Sequence, residues 1–290
     1  MTPPPSRGYA FVRALTRMLL GLFYTRIEVV GEENVPASGP LILAANHHNA
    51  LVDGMLLMAT VQRPLRALAK APLFHHPLIG PFLHMVGGLP VNRRKESGDN
   101  PVKNAALFAA TTAALRAGEA IMIFPEGTTQ PEPALQEVRT GAARMLLAAE
   151  GGDEGVPVTL LPVGLVFDQP GTFRSGRALV LIGRPIETAD LLTGGPSIPT
   201  ARALTNRLAE ALRGLIIEAD DRHTLRLLRL VEELWREGDG APAPGEADRV
   251  RWLQGAMRLY RSLLRSDSER VAALRRDLEA YDADSERAGL

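Results

Sequence analysis

The sequence predicts an α/β fold: a mixed, largely parallel sheet covered by helices, preceded by an N-terminal amphipathic helix and followed by a C-terminal helical extension. Short apolar runs bounded by turn residues recur at 27–30, 41–45, 66–70, 89–91, 120–124, 158–166 and 178–182. Several alternate with helix-length stretches at 51–60, 73–86, 101–117, 139–150 and 200–218, the order that a parallel sheet with helical crossovers requires. The 290 residues are enough to bury one α/β core and leave a smaller appendage.

Taken in order, residues 8–24 place Phe11, Leu15, Met18, Leu22 and Phe23 at helical spacing, with Arg13 and Arg17 elsewhere on the surface. Either a bilayer interface or the protein's own core would accept that apolar face. The longest early apolar run, Met18 to Tyr24, falls far short of the roughly 20 residues that cross a bilayer, so no transmembrane helix is expected. The sheet and its helices follow. Segments 194–199 and 238–246 are rich in glycine and proline and read as loops. Beyond them, Trp252, Ala256, Tyr260 and Leu263 share one face of a charged helical tail, 247–282, and Arg251, Arg258, Arg261 and Arg265 make much of it basic. A solvated helix pair and a membrane or partner contact both fit that pattern. The expected organisation is an amphipathic helix over 1–25, a catalytic domain over 26–236 and a helical extension over 237–290.

The formal net charge of zero gives no general attraction to nucleic acid. Only three of the 33 basic residues are lysines (Lys70, Lys95, Lys103), a bias expected from the codon composition of a GC-rich bacterial genome. The chain has no cysteine, which excludes disulfides, thiolate metal ligands and a cysteine nucleophile. No serine sits in a Gly-x-Ser-x-Gly elbow, and the Gly-Lys of a phosphate loop never occurs.

Four segments carry chemistry. In LILAANHHNALVDGMLL (41–57) a strand runs into Asn46, His47 and His48, and then into a helix carrying Asp53. A histidine oriented by a carboxylate makes a general base, because the carboxylate fixes the tautomer and stabilises the imidazolium. In AIMIFPEGTTQ (120–130) a buried strand delivers Glu126, the flexible backbone of Gly127 and the hydroxyls of Thr128 and Thr129 to the sheet edge. In GGLPVNRRKESG (87–98), Arg93 and Arg94 follow a short strand, where a forked guanidinium suits a phosphate monoester. The fourth, TLLPVGLVF (159–167), is a strand interrupted by Pro162, which points to an edge or a bulge.

Together these segments resemble the glycerolipid acyltransferase superfamily: Asn-His and Asp at 46–53, Gly and Arg at 87–93, Phe-Pro-Glu-Gly-Thr at 124–128 and Leu-Pro-Val-Gly at 161–164. LAKAPLF (68–74), RTGAAR (139–144), FRS (173–175) and GRPI (183–186) bring the chain nearer to the glycerol-3-phosphate/dihydroxyacetone-phosphate acyltransferase branch. The resemblance spans about residues 26–235. It implies an O-acyltransferase that moves a fatty acyl group from acyl-coenzyme A or acyl carrier protein to a hydroxyl of glycerol 3-phosphate, lysophosphatidate or a related acceptor, in phospholipid biosynthesis and without a covalent acyl-enzyme. Asp53 would orient the base. The four-residue spacing of the wider family selects His48, whereas the branch pattern Asn-His-x-Asn-x-x-x-Asp aligns Asn46, His47, Asn49 and Asp53 and selects His47. Arg93, Gly127 and Thr128 would hold the acceptor phosphate, with Lys70 and Arg94 as secondary phosphate ligands, and Glu126 would position an acceptor hydroxyl or the basic residues around it. No metal or tightly bound cofactor is required. Thr129 and Gln130 stand where many members carry Arg-Ser. The lipidic substrates place the protein on the cytoplasmic face of the bacterial inner membrane, held by residues 8–24. A catalytically silent lipid-binding or membrane-remodelling protein of the same fold is the alternative.

Overall fold

The computed structural model describes residues 6–91, 101–129, 133–167, 176–193, 195–239 and 245–288. The chain forms two compact units, Met1–Gln130 with Leu135–Leu215, and Pro131–Ala134 with Ile216–Leu290.

The first unit is built on a seven-stranded sheet of order β1-β7-β6-β2-β5-β3-β4. Its strands are β1 (Tyr24–Val30), β2 (Leu41–Ala45), β3 (Leu65–Lys70), β4 (Leu89–Val91), β5 (Ala120–Ile123), β6 (Thr159–Phe167) and β7 (Gly176–Ile182). Five neighbouring pairs are parallel and only β6 with β7 is antiparallel, so the largely parallel sheet read from the sequence is what forms. The wholly apolar LILAA of β2 is buried along its length, as a strand covered on both faces must be. Alternate residues show the two faces: Leu41, Leu43 and Ala45 join one core with Leu56, Leu57, Val12 and Leu20. Ile42 and Ala44 point the other way and are equally buried.

The first core is closed by α1 (Arg7–Phe23) and α2 (Leu51–Thr60). Ser6 caps α1 by accepting the Tyr9 N–H, and Tyr9, Val12, Thr16 and Leu20 form its buried stripe. Arg17 ties the two helices together by donating from Nε to the Ala59 carbonyl at 2.9 Å. A short α3 (Gly80–Met85) packs near α1. α4 (Pro101–Arg116), α5 (Gly141–Glu150), the one-turn α6 (Ala189–Leu192) and α7 (Ile198–Leu215) complete the unit, with α5 packing on β2 and α7 on β6.

Two expectations are corrected here. The helix expected over 73–86 is a 3₁₀ turn (Ala71–His75) followed by α3, because Pro77 cannot donate to a helix and disfavours helical backbone before it, while Pro81 restarts one at its first turn. Pro162 marks neither an edge nor a bulge, since β6 lies between β2 and β7. Its ring nitrogen is on the β7 side, where antiparallel pairing begins only at Val163, and its carbonyl there accepts the Gly183 N–H at 2.9 Å. No bond to β2 is lost.

The second unit holds α8 (Arg222–Asp239), α9 (Glu246–Ser266) and α10 (Ser268–Ala288), so it takes in a helix that the sequence reading kept with the catalytic domain. Asp221 caps α8 by accepting the Thr224 N–H. Buried Glu232 accepts from Arg249 at 2.8 Å, and His223 with Glu279 and Arg226 with Asp282 join α8 to α10.

Candidate active site

Parallel strands end on one edge of a sheet, so residues just beyond β2, β3 and β5 converge whatever their separation in sequence. Asn46 extends the β2 ladder with its side chain: Oδ1 accepts the Leu165 N–H at 2.7 Å and Nδ2 donates to the Leu165 carbonyl at 2.9 Å. The amide thus continues the pairing to β6 for one more residue and fixes where His47 leaves the sheet.

His47 is held from three sides. Its backbone N–H donates to Glu126 Oε1 at 2.7 Å. Its ring lies on Phe124, with centroids 4.2 Å apart and planes at 16°. Its Nδ1 lies 2.9 Å from Asp53 Oδ2, an oxygen that also accepts the Asn49 N–H at 2.8 Å. Asp53 is fully buried, and its other oxygen has no hydrogen-bond partner among the described residues. In a neutral ring, an acceptor oxygen at Nδ1 selects the tautomer with its proton there, which leaves the lone pair on Nε2.

The chain reaches Asp53 through a tight turn. Ala50 adopts φ 49°, ψ −116°, and the Val52 N–H donates to the Asn49 carbonyl at 3.0 Å. This is a type II′ turn with alanine where glycine is normal. It brings the first turn of α2 back under the histidine, and Asn49 Nδ2 donates to the Tyr24 hydroxyl at 3.4 Å. Burial, and after it the charge of Asp53, push the Tyr24 phenol up to about 12, so it stays neutral beside the carboxylate.

Glu126 is held by backbone groups of the protein itself. Its side chain is buried and turned into the protein, where Oε1 holds the His47 N–H and Oε2 accepts the Gln136 N–H at 2.9 Å. Burial raises its pKa, and the two backbone bonds partly oppose that. Through Oε1, Glu126 fixes the backbone of His47, one of the basic residues around it. The turn that delivers it needs Gly127 at φ 65°, where a Cβ would stand 3.1 Å from Arg139 Nε. The Arg139 guanidinium therefore lies against bare backbone.

His47 lines a cavity of ≈720 Å³. Val12, Leu15 and Leu19 of α1, Met55 and Met58 of α2, and Phe82 of α3 make most of its wall apolar. Lys70, Gly127, Thr129 and Arg139 bring polar groups to the same space. His48 and Thr128 are not among the lining residues. Arg93 and Arg94, which follow β4 in the sequence, lie outside the described residues, as do Gln130 and residues 173–175. Arg139 was missed as a site residue; its signal was the stretch RTGAAR, which counted only toward the resemblance.

An acyltransferase family model matches residues 26–166. The 1-acyl-sn-glycerol-3-phosphate acyltransferase of Borreliella burgdorferi is 30% identical over 182 residues, 62% of this chain and 68% of that protein. The chain belongs to the acyltransferase family. The Bacillus subtilis protein of the same name is 26% identical over 210 residues, 71% of this acyltransferase and 96% of the relative. The crystal structure of the 1-acyl-sn-glycerophosphate acyltransferase from Thermotoga maritima aligns with a TM-score of 0.52 at 19% identity, covering 71% of this chain and 78% of that one, a likeness of fold. The family match takes in His47, Asn49, Asp53 and Glu126 of the hydrogen-bonded cluster described above.

Proposed function

We propose that this acyltransferase moves a fatty acyl group from an acyl thioester, carried by coenzyme A or acyl carrier protein, onto a hydroxyl of lysophosphatidate or a related glycerol phosphate. One observation carries the reading: a histidine with a carboxylate on Nδ1 opens, with Lys70 and Arg139, onto a cavity whose wall is largely apolar. A fatty chain fits the apolar wall and a phosphate fits the two cations. The names of the relatives favour lysophosphatidate as acceptor.

In this mechanism His47 Nε2 takes the acceptor's hydroxyl proton as that oxygen attacks the thioester carbonyl. Asp53 stabilises the imidazolium. The tetrahedral adduct collapses with cleavage of the C–S bond, and the departing thiolate recovers the proton. With no cysteine in the chain, transfer cannot pass through an S-acyl enzyme, and in this mechanism the acyl group goes straight from donor to acceptor. Aligning the two substrates supplies much of the rate, because a thiolate leaves readily. The exposed apolar residues of α1 suit a position on a membrane surface, where such an acceptor resides; no described helix is long and apolar enough to cross one.

Thiol release measured with lysophosphatidate, glycerol 3-phosphate, dihydroxyacetone phosphate and an unphosphorylated monoacylglycerol tests the proposal. Release should require a phosphorylated acceptor. Arg139→Gln should raise that acceptor's KM by about tenfold or more, the loss of one charge-assisted bond. Acceptor-independent release would identify a thioester hydrolase, and no release with any acceptor would favour a silent lipid-binding protein.

A further inference from the structure

The C-terminal unit carries an exposed face that acyl transfer does not use. Trp235 near the end of α8 is 55% exposed, and its ring stacks on that of Trp252 in α9, with centroids 6.1 Å apart. Along α9, Ala256, Leu259 and Leu263 continue the line from Trp252 at steps of four, three and four residues, the spacing of one helix face. Leu259 is 61% exposed, and Leu263 and Leu264 are exposed beyond it. The helix already has a separate inward side in Val250, Leu253 and Met257, so the outward line is not its core stripe.

The charge on this helix is one-sided. From Arg249 to Ser266 it carries five arginines and no acid. Arg249 is matched by Glu232, Arg251 by Asp248 and Arg261 by Asp220. Arg258 and Arg265, seven residues apart on the exposed side, have no carboxylate partner among the described residues.

Tryptophan with one polar edge, a narrow line of leucines and unmatched arginines are the components of a helix that lies in a bilayer interface. A protein partner of ordinary affinity needs on the order of 800 Å² on each side, with an apolar core several residues wide. We propose that this face of α8 and α9 docks on an anionic phospholipid surface, independently of α1.

The chain contains two tryptophans and both lie in this face, so the intrinsic fluorescence of the whole protein reports on it directly. Titration with vesicles of phosphatidylcholine containing phosphatidylglycerol should blue-shift the emission, and added salt should reverse the shift. Vesicles of phosphatidylcholine alone should shift it far less. Arg258→Gln with Arg265→Gln, which leaves both rings and all the named ion pairs in place, should weaken partitioning about 25-fold, from about fivefold per arginine. Three results would each overturn the proposal: failure to bind the anionic vesicles, co-sedimentation with unchanged emission, or a shift insensitive to the double substitution. The second is the result expected if α1 alone holds the membrane or if the face belongs to an acidic protein.

Discussion

At the residue scale, adjacent histidines that look alike in the sequence differ in their surroundings. His47 Nδ1 is 2.9 Å from Asp53 and its ring lines the cavity, whereas His48 is not among the lining residues. His47→Ala and Asp53→Ala should therefore each lower kcat by about a hundredfold to ten-thousandfold, the usual loss with a general base, and His48→Ala should stay within about tenfold of wild type. Steady-state thiol release on variants with unchanged circular dichroism checks the ranking, and the opposite order would move the base to His48. Glu126 gives a second test, through stability. Burial raises its pKa in the native protein, so the native state holds that proton more tightly than the unfolded chain does. Its contribution is fully present below the ordinary glutamate value of about 4.3 and declines as pH rises through the raised native value. Chemical denaturation of wild type and Glu126→Gln across that window should show the wild type losing stability relative to the variant as pH increases. A relative gain would refute the burial argument. At neutral pH the variant should also lose activity, because a glutamine amide can serve only one of the two N–H groups that Glu126 now accepts.

At the scale of elements, the type II′ turn before α2 holds an alanine at φ 49°, a backbone region that costs an L-residue about 1–2 kcal/mol. Ala50→Gly should relieve that strain and raise unfolding stability by up to about 1 kcal/mol, after the added entropy of the unfolded glycine is subtracted. Denaturant midpoints measure it; a destabilised variant would mean that the alanine methyl packs to advantage on the cavity wall it lines. This turn also shows what was hidden in the sequence. The strands were legible because β2 and β5 are continuous apolar runs, and α2 because its bounds coincide with the expected 51–60. NHHNALVD does not reveal that residue 50 takes a positive φ, and that backbone angle decides which histidine meets the carboxylate. Pro77 was visible in the expected helix over 73–86, but the apolar periodicity around it outweighed it. Glu126 was found by its motif, but its two backbone partners were not, since a one-dimensional pattern cannot tell which N–H groups a buried carboxylate will meet.

At the scale of the whole molecule, the question is how the proposed enzyme would meet a lipid acceptor when no described helix is long and apolar enough to cross a membrane. The apolar residues of α1 read from the sequence as one stripe separate in the structure into two sides. Leu15 lines the cavity, and Tyr9, Val12, Thr16 and Leu20 are built into the core. Phe11 and Met18, each 58% exposed, lie with Leu22 on the outward side at steps of seven and four residues. Deleting the helix would therefore open the core, and changing Leu15 would alter the cavity; neither isolates a membrane contact. Met18→Glu with Leu22→Glu changes only outward positions, so it should leave thermal stability within about 1 kcal/mol of wild type, as exposed substitutions usually do. Interfacial attachment scales with the apolar area inserted. Replacing two of its side chains with carboxylates should then lower partitioning onto vesicles by at least about tenfold, at about 25 cal/mol per Å² of area no longer inserted and with repulsion from anionic lipid added. Because His47, Asp53 and the cavity wall are untouched, turnover of a water-soluble short-chain thioester with glycerol 3-phosphate should persist while turnover of vesicle-borne acceptor falls. Equal loss on both substrates would place the defect in the cavity, and unchanged turnover of the vesicle-borne acceptor would show that α1 is not the surface through which the enzyme reaches its lipid.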